Sequence, residues 1–163
     1  MKILMVCLGN ICRSPLAEGI MRAKIEKAGL DWEVDSAGTS GFHAGEQPDK
    51  RSIQVAKKYG IDISQQRSRQ FRGWDFEVFD RIYVMDSSNY RDVVAMAQSA
   101  EEKAKVHLIM NVIEPDKNIA VPDPYYGEFG FENVYQMLDE ACAQIIVIGE
   151  VSPYFCSNSG DKK

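Results

Sequence analysis

Residues 7–14 read Cys-Leu-Gly-Asn-Ile-Cys-Arg-Ser, after the apolar run Ile3-Leu4-Met5-Val6 and before Pro15-Leu16-Ala17-Glu18. A cysteine and an arginine at opposite ends of a loop between strand and helix can form a nucleophile facing an anion. Loop N–H groups and the positive end of the helix converge there, which favours a phosphate-sized oxyanion. The same field and a neighbouring guanidinium favour an ionised thiol, so Cys7 is expected to act as a thiolate. Arg13 offers a planar fork of donors for two phosphoryl oxygens, which lysine lacks. Gly9 and Asn10 tolerate the left-handed backbone that an anion nest requires. The Ser14 hydroxyl is placed to donate to the Cys7 sulfur, and Pro15 loses no hydrogen bond in a first helical turn. Cysteine and arginine six positions apart are weak evidence alone; the flanking strand, glycine and helix start make the pattern specific.

Thiolate attack on a phosphoester needs a proton for the departing oxygen. Asp123, in Val121-Pro122-Asp123-Pro124-Tyr125-Tyr126-Gly127, is the candidate, because two prolines restrict the backbone around it. Tyr125 and Tyr126 supply rings to wall an entrance and stack on an aromatic substrate. Alone, the stretch reads as an ordinary turn with a surface aspartate. Cys12 reads either as a space-filler or as the partner that captures oxidised Cys7 in a reversible disulfide. Cys142 lies on an apolar helix face and reads as core, while Cys156 has no assigned role. No Cys-x-x-Cys pair exists and His43 and His107 are isolated, so no metal site is expected. The loop itself supplies positive field, and no cofactor is expected.

These residues need a scaffold. Short β-like runs occur at Lys2 to Val6, Trp32 to Ser36, Arg81 to Met85 and Val106 to Met110. Between them lie helical patterns: Pro15 to Gly29, Pro48 to Tyr59 with Gly60 as its stop, and Asp86 to Ala104, whole or in two pieces. In the first, Ala17, Ile20, Met21, Ile25 and Ala28 share a face, and Gly29 ends it. A last helix carries the stripe Phe131, Val134, Tyr135, Leu138, Ala141, Cys142 and Ile145. The alternation predicts right-handed βαβ crossovers: an α/β, three-layer, flavodoxin-like or Rossmann-like fold with a four-stranded parallel sheet and helices on both faces. Sites in such folds lie beyond the carboxyl ends of the strands, where Cys7 sits.

The 163 residues predict one domain over residues 1–156, with the polar tail 157–163 disordered. Composition is that of a soluble globular protein, 45% hydrophobic and 26% charged. A net charge of −5 argues against nucleic acid as main partner. The densest basic stretch, Arg67 to Arg72, is short and reads as solvated surface. Met1-Lys2 and the apolar run before Cys7 mimic a secretion or lipoprotein signal. The run is too short, and bulky Val6 precedes the cysteine. No stretch approaches a membrane span. The cysteine usage and the missing signal predict a cytoplasmic protein.

From Lys2 to about Ile145 the sequence resembles the low-molecular-weight protein tyrosine phosphatases, with the phosphatase I fold. The likeness rests on the loop Val6 to Pro15 and on Asp123-Pro-Tyr-Tyr126. Asp35-Ser-Ala-Gly-Thr39 and Met85-Asp-Ser-Ser-Asn89 add to it. The resemblance implies Cys7 as nucleophile, Arg13 as phosphate clamp and Asp123 as general acid and then base. It implies that Asn10, Ser14 and Ser36 form a hydrogen-bond network shaping the loop. Leu8, Gly9, Ile11, Cys12, Phe42, Tyr125 and Tyr126, with Asn10 and Ser14, are the expected substrate-binding residues. The family often has tryptophan at Phe42 and a histidine in the network where Gln65-Gln66 stands. The segment from Val147 through Cys156 departs from the family pattern.

The implied activity is hydrolysis of phosphotyrosine in proteins through a cysteinyl phosphate. By family analogy alone, a bacterial tyrosine kinase that controls polysaccharide export is a candidate partner. Arginine phosphatases of the same fold are the nearest alternative; they tend to carry threonine where this loop has Ile11. Arsenate reductases need further cysteines in mid-chain, and none occurs between Cys12 and Cys142. A phosphate-binding module without catalysis would be expected to lack the nucleophile or the acid.

Overall fold

The computed structural model describes residues 1–125 and 130–151. Tyr126, Cys156 and the tail expected at 157–163 lie outside the described residues. The elements run β1 (Lys2–Cys7), α1 (Arg13–Ala28), β2 (Glu33–Gly38), α2 (Lys50–Lys58), α3 (Asp75–Val78) and β3 (Arg81–Val84). They continue with α4 (Ser87–Met96), α5 (Ala100–Ala104), β4 (Val106–Leu108), a 3₁₀ turn (Ile109–Val112) and α6 (Phe131–Val151).

All pairings are parallel and the strand order is β2-β1-β3-β4. Because β1 and β3 are covered on both sides, they are buried and run without polar alternation after their first residues, Lys2 and Arg81. Ile3, Met5 and Tyr83 pack into a core with α1, α2 and α6. Leu4, Val6, Ile82 and Val84 pack with Phe71, Phe76, Phe79 and Val93 on the other face. These two cores make the three-layer sandwich that the strand–helix alternation predicts.

Element boundaries follow local chemistry. Gly29, left-handed at φ 66°, closes α1, with its N–H on Glu26 O and that of Leu30 on Ile25 O. Ala28, expected on the buried face, is exposed at this end. Asp49 caps α2 by accepting from Arg51 N, and Asp86 caps α4 by accepting from Asn89 N. The expected helix from Asp86 to Ala104 is two pieces, the second capped by Ser99.

Two expectations need correction. Ile109 and Met110 leave the fourth strand for the 3₁₀ turn, where both are buried. The Arg67 to Arg72 stretch is solvated at Arg67 and Arg72 only. Arg69 is half-buried and pairs with Asp35 and with fully buried Asp75 of α3, a helix without a signal in the hydrophobic pattern. Gly149, beyond Val147, faces the indole of Trp32 so closely that a Cβ there would lie 2.1 Å from its ring.

Sequential strands add on opposite sides of β1, so the β1–β3 gap is the topological switch point where a ligand crevice forms. Cys7 ends β1, and Asp86 follows β3 by two residues.

Candidate active site

The loop from Cys7 to Ser14 is pulled open from outside. The carbonyl of Cys7 accepts from Thr39 N (2.9 Å), that of Leu8 from Ser40 N (2.9 Å) and that of Ile11 from Asp49 N (2.7 Å). Those of Gly9 and Cys12 accept from the hydroxyls of Ser68 (3.1 Å) and Ser52 (3.2 Å). Because N–H lies opposite C=O across each planar peptide, carbonyls tied outward turn the N–H edge inward. The surrounding segments thus build the anion nest. Asn10 takes the left-handed conformation at φ 55° and directs its N–H to Cys7 Sγ (3.3 Å). Gly9 does not have positive φ. What it allows is close approach, since a Cβ would lie 3.1 Å from His43 Cδ2.

The orientation of the Asn10 amide behind the loop is forced. Arg69 N can only donate, so the Asn10 atom it reaches at 3.0 Å is the acceptor Oδ1. Asn10 Nδ2 therefore donates to both Ser14 Oγ (2.7 Å) and Ser36 Oγ (2.9 Å). Ser36 passes its own proton to Glu18 Oε1 (2.8 Å). Ser14 then has its proton for either Cys7 Sγ at 3.0 Å or the Ala37 carbonyl at 3.5 Å, and the shorter contact favours donation to the sulfur. Asn10, Ser14 and Ser36 are buried behind the loop rather than on the cavity wall. Burial pushes the Glu18 carboxyl above its ordinary value, against donation from Ser36 and Arg22.

Arg13 is aimed by two acceptors on one nitrogen. Its Nη1 donates to Asp86 Oδ2 (2.7 Å) and to the Val121 carbonyl (3.0 Å). Val121 N in turn donates to the Met85 carbonyl (2.8 Å), stitching the segment that carries Asp123 to the end of β3. Nη2 lies 3.8 Å from Asp123 Oδ2. Burial alone lowers the Arg13 pKa, but Cys7, Asp86 and Asp123 outweigh it and the net shift is upward.

Cys7, Arg13 and Asp123 line one cavity of about 460 Å³. Leu8, Gly9, Ile11, Cys12, Phe42 and Tyr125 share its wall. Phe42 is 85% exposed at the mouth, with its ring edge-on to His43 at 4.9 Å. The Cys12 thiol is pushed up to about 12, first by burial and then by Asp49, Cys7 and Asp123.

Sequence reasoning missed His43 and Ser40 on the wall and the roles of Asp86, Arg69 and Glu18. An aspartate starting a helix just after a strand was the available signal for Asp86; the others become neighbours only in the folded chain. Gln66 bonds the Pro15 carbonyl (3.1 Å) and Gln65 is exposed, so Arg69 N, not a side chain at 65–66, completes the Asn10 network.

Comparison with known proteins identifies a family. Residues 2–152 match the low molecular weight phosphotyrosine protein phosphatase family. The low molecular weight phosphotyrosine protein phosphatase of Homo sapiens is 42% identical over 144 residues, 86% of this chain and 90% of the human one. A protein tyrosine phosphatase of Entamoeba histolytica, solved with Hepes in its active site, superposes with a TM-score of 0.85 at 40% identity, covering 92% of this chain and 97% of that one. A Drosophila arginine phosphatase superposes equally, 0.85, at 34% identity, covering 94% and 99%.

Proposed function

The chain belongs to the low molecular weight phosphotyrosine protein phosphatases, and from that premise we propose that Cys7, Arg13 and Asp123 divide the hydrolysis of phosphotyrosine between them within one domain spanning residues 1–156. Cys7 Sγ attacks phosphorus in line with the tyrosyl oxygen. As the P–O bond breaks, the Asp123 carboxyl protonates that oxygen and leaves a cysteinyl phosphate. The Asp123 carboxylate then takes a proton from a water that attacks phosphorus, and the S–P bond breaks to restore the thiolate. With Nη1 held by Asp86 and Val121, the Nε–Nη2 edge of Arg13 is left to clamp the oxyanion. Together with the inward loop amides it stabilises the equatorial oxygens in both steps.

The observation that carries this reading is that nucleophile, clamp and acid line one cavity walled by Leu8, Ile11, Phe42 and Tyr125. That wall suits a flat aromatic ester. Its apolar Ile11 favours phosphotyrosine over the phosphoarginine chemistry suggested by the Drosophila neighbour. The proposed substrate is a cytoplasmic phosphotyrosine protein, a tyrosine kinase of bacterial type being one. Among the described residues the free thiols Cys7, Cys12 and Cys142 fit a reducing compartment, and no helix is long and apolar enough to cross a membrane.

The test is release of nitrophenolate from para-nitrophenyl phosphate. It is expected to be blocked by vanadate, insensitive to chelator and lost in Cys7→Ser, which still binds phosphate. Asp123→Ala is expected to lose most kcat/KM on aryl phosphates with poor leaving groups; equal losses across leaving groups would remove Asp123 from the acid role. Faster hydrolysis of phosphoarginine than of phosphotyrosine peptides would overturn the substrate assignment.

A further inference from the structure

Arg51 stands between the loop that carries the nucleophile and the segment that carries the acid. Asp49, the cap of α2, donates its N–H to the Ile11 carbonyl of the nucleophile loop at 2.7 Å. Its carboxylate takes the N–H of Arg51 (2.8 Å) and both Nε (3.0 Å) and Nη2 (2.9 Å) of its guanidinium. Held in that fork, the guanidinium lies over the ring of Tyr125, 5.2 Å from its centroid, and over Phe131, 4.7 Å away, the first residue of α6. Tyr125 N donates to Asp123 Oδ1 at 3.0 Å. A continuous series of contacts thus runs from Ile11 through Asp49, Arg51 and Tyr125 to Asp123.

We propose that Arg51 is a positioning residue for the acid: by clasping Tyr125 while tied to the nucleophile loop, it fixes where the Asp123 carboxyl stands relative to Cys7. The inference deepens the reading of Asp123 as general acid and rests on it. A planar guanidinium can spend one edge on a carboxylate and its faces on rings, a combination that a lysine ammonium cannot copy. A merely solvated cation would need neither ring, and it would leave the leaving-group dependence of the first step untouched.

The experiment measures kcat/KM, which reports the first step, for aryl phosphates from para-nitrophenyl to phenyl. Arg51→Ala is expected to lose roughly tenfold on phenyl phosphate, the scale of the ring contacts it gives up, and much less on the activated ester. Its inhibition by inorganic phosphate should match wild type. Arg51→Lys is expected to behave like Arg51→Ala. Asp49→Asn, which keeps the helix cap but loosens the fork, should show the same dependence should the alanine variant fold poorly. In an Asp123→Ala background the Arg51→Ala loss should vanish, as it must if Arg51 acts only through that carboxyl. A loss independent of leaving group, full rescue by lysine, or full additivity with Asp123→Ala overturns the inference. A flat profile for Asp123→Ala alone instead overturns the acid assignment beneath it.

Discussion

The Ser14 hydroxyl offers the sharpest test of the loop's design. Ser14→Ala deletes one donor to Cys7 Sγ (3.0 Å) and one acceptor for Asn10 Nδ2 (2.7 Å). Asn10 keeps Ser36 Oγ (2.9 Å) and Arg69 N (3.0 Å), so the loop stays in place and the loss falls on the sulfur. A hydrogen bond to a charged group is worth about 1.5–3 kcal/mol. At about 1.4 kcal/mol per tenfold, that becomes a loss of roughly 10- to 150-fold in a step that returns negative charge to sulfur. That step is hydrolysis of the cysteinyl phosphate. In the first step sulfur gives charge up, so the bond is worth less in the transition state than before it. The expected outcome is a large fall in kcat, a much smaller fall in kcat/KM, and a stoichiometric burst of nitrophenolate in rapid-mixing experiments as phosphoenzyme accumulates. Inhibition by inorganic phosphate reports that the loop is intact. Equal falls in kcat and kcat/KM, or an unchanged kcat, would refute the donor assignment derived from Asn10.

Three further outcomes are expected. Gly38→Ala would put a Cβ 2.8 Å from the Leu8 carbonyl oxygen and 3.1 Å from Asn10 N, all unyielding backbone. It should weaken phosphate inhibition about 5- to 150-fold, roughly the consequence of 1–3 kcal/mol of overpacking transmitted to the loop; wild-type inhibition would show that the contact is harmless. The Glu18 carboxyl sits above its ordinary 4.5 because it is buried. The folded state therefore holds its proton more tightly than the unfolded chain, and stability is lost as pH rises from 4.5 through the raised value. Urea midpoints of wild type should fall relative to Glu18→Gln over that window, and parallel curves would contradict the assignment. Burial pushes Cys12 and Cys142 up to about 12. Iodoacetate at neutral pH should therefore alkylate neither while it inactivates the enzyme at Cys7, as peptide mapping by mass spectrometry would show; label on Cys12 first would contradict this.

Local signals were enough for much of this protein. Apolar β1, the glycine-bearing loop and Pro15 in the first turn of α1 lie within fifteen residues, so short-range backbone preferences alone place Cys7 and Arg13 across one loop. Gly29 as the stop of α1 is legible for the same reason: it depends on one or two neighbours. Strand–helix alternation then requires parallel pairing, which puts that loop at the carboxyl edge of the sheet.

Partnerships between distant residues had no such signal. Arg13 with Asp86, Ser36 with Glu18, Asn10 with Arg69, and Arg51 with Tyr125 join positions that only the packed sheet and helices bring together. Arg69 shows the difference most clearly. By composition it belongs to a basic surface run, yet buried Asp75 of a four-residue helix takes its guanidinium while its N–H orients Asn10. A side chain's type limits what bonds it can make, but burial and the direction of the neighbouring backbone decide which bond it does make. Those are properties of the folded chain as a whole.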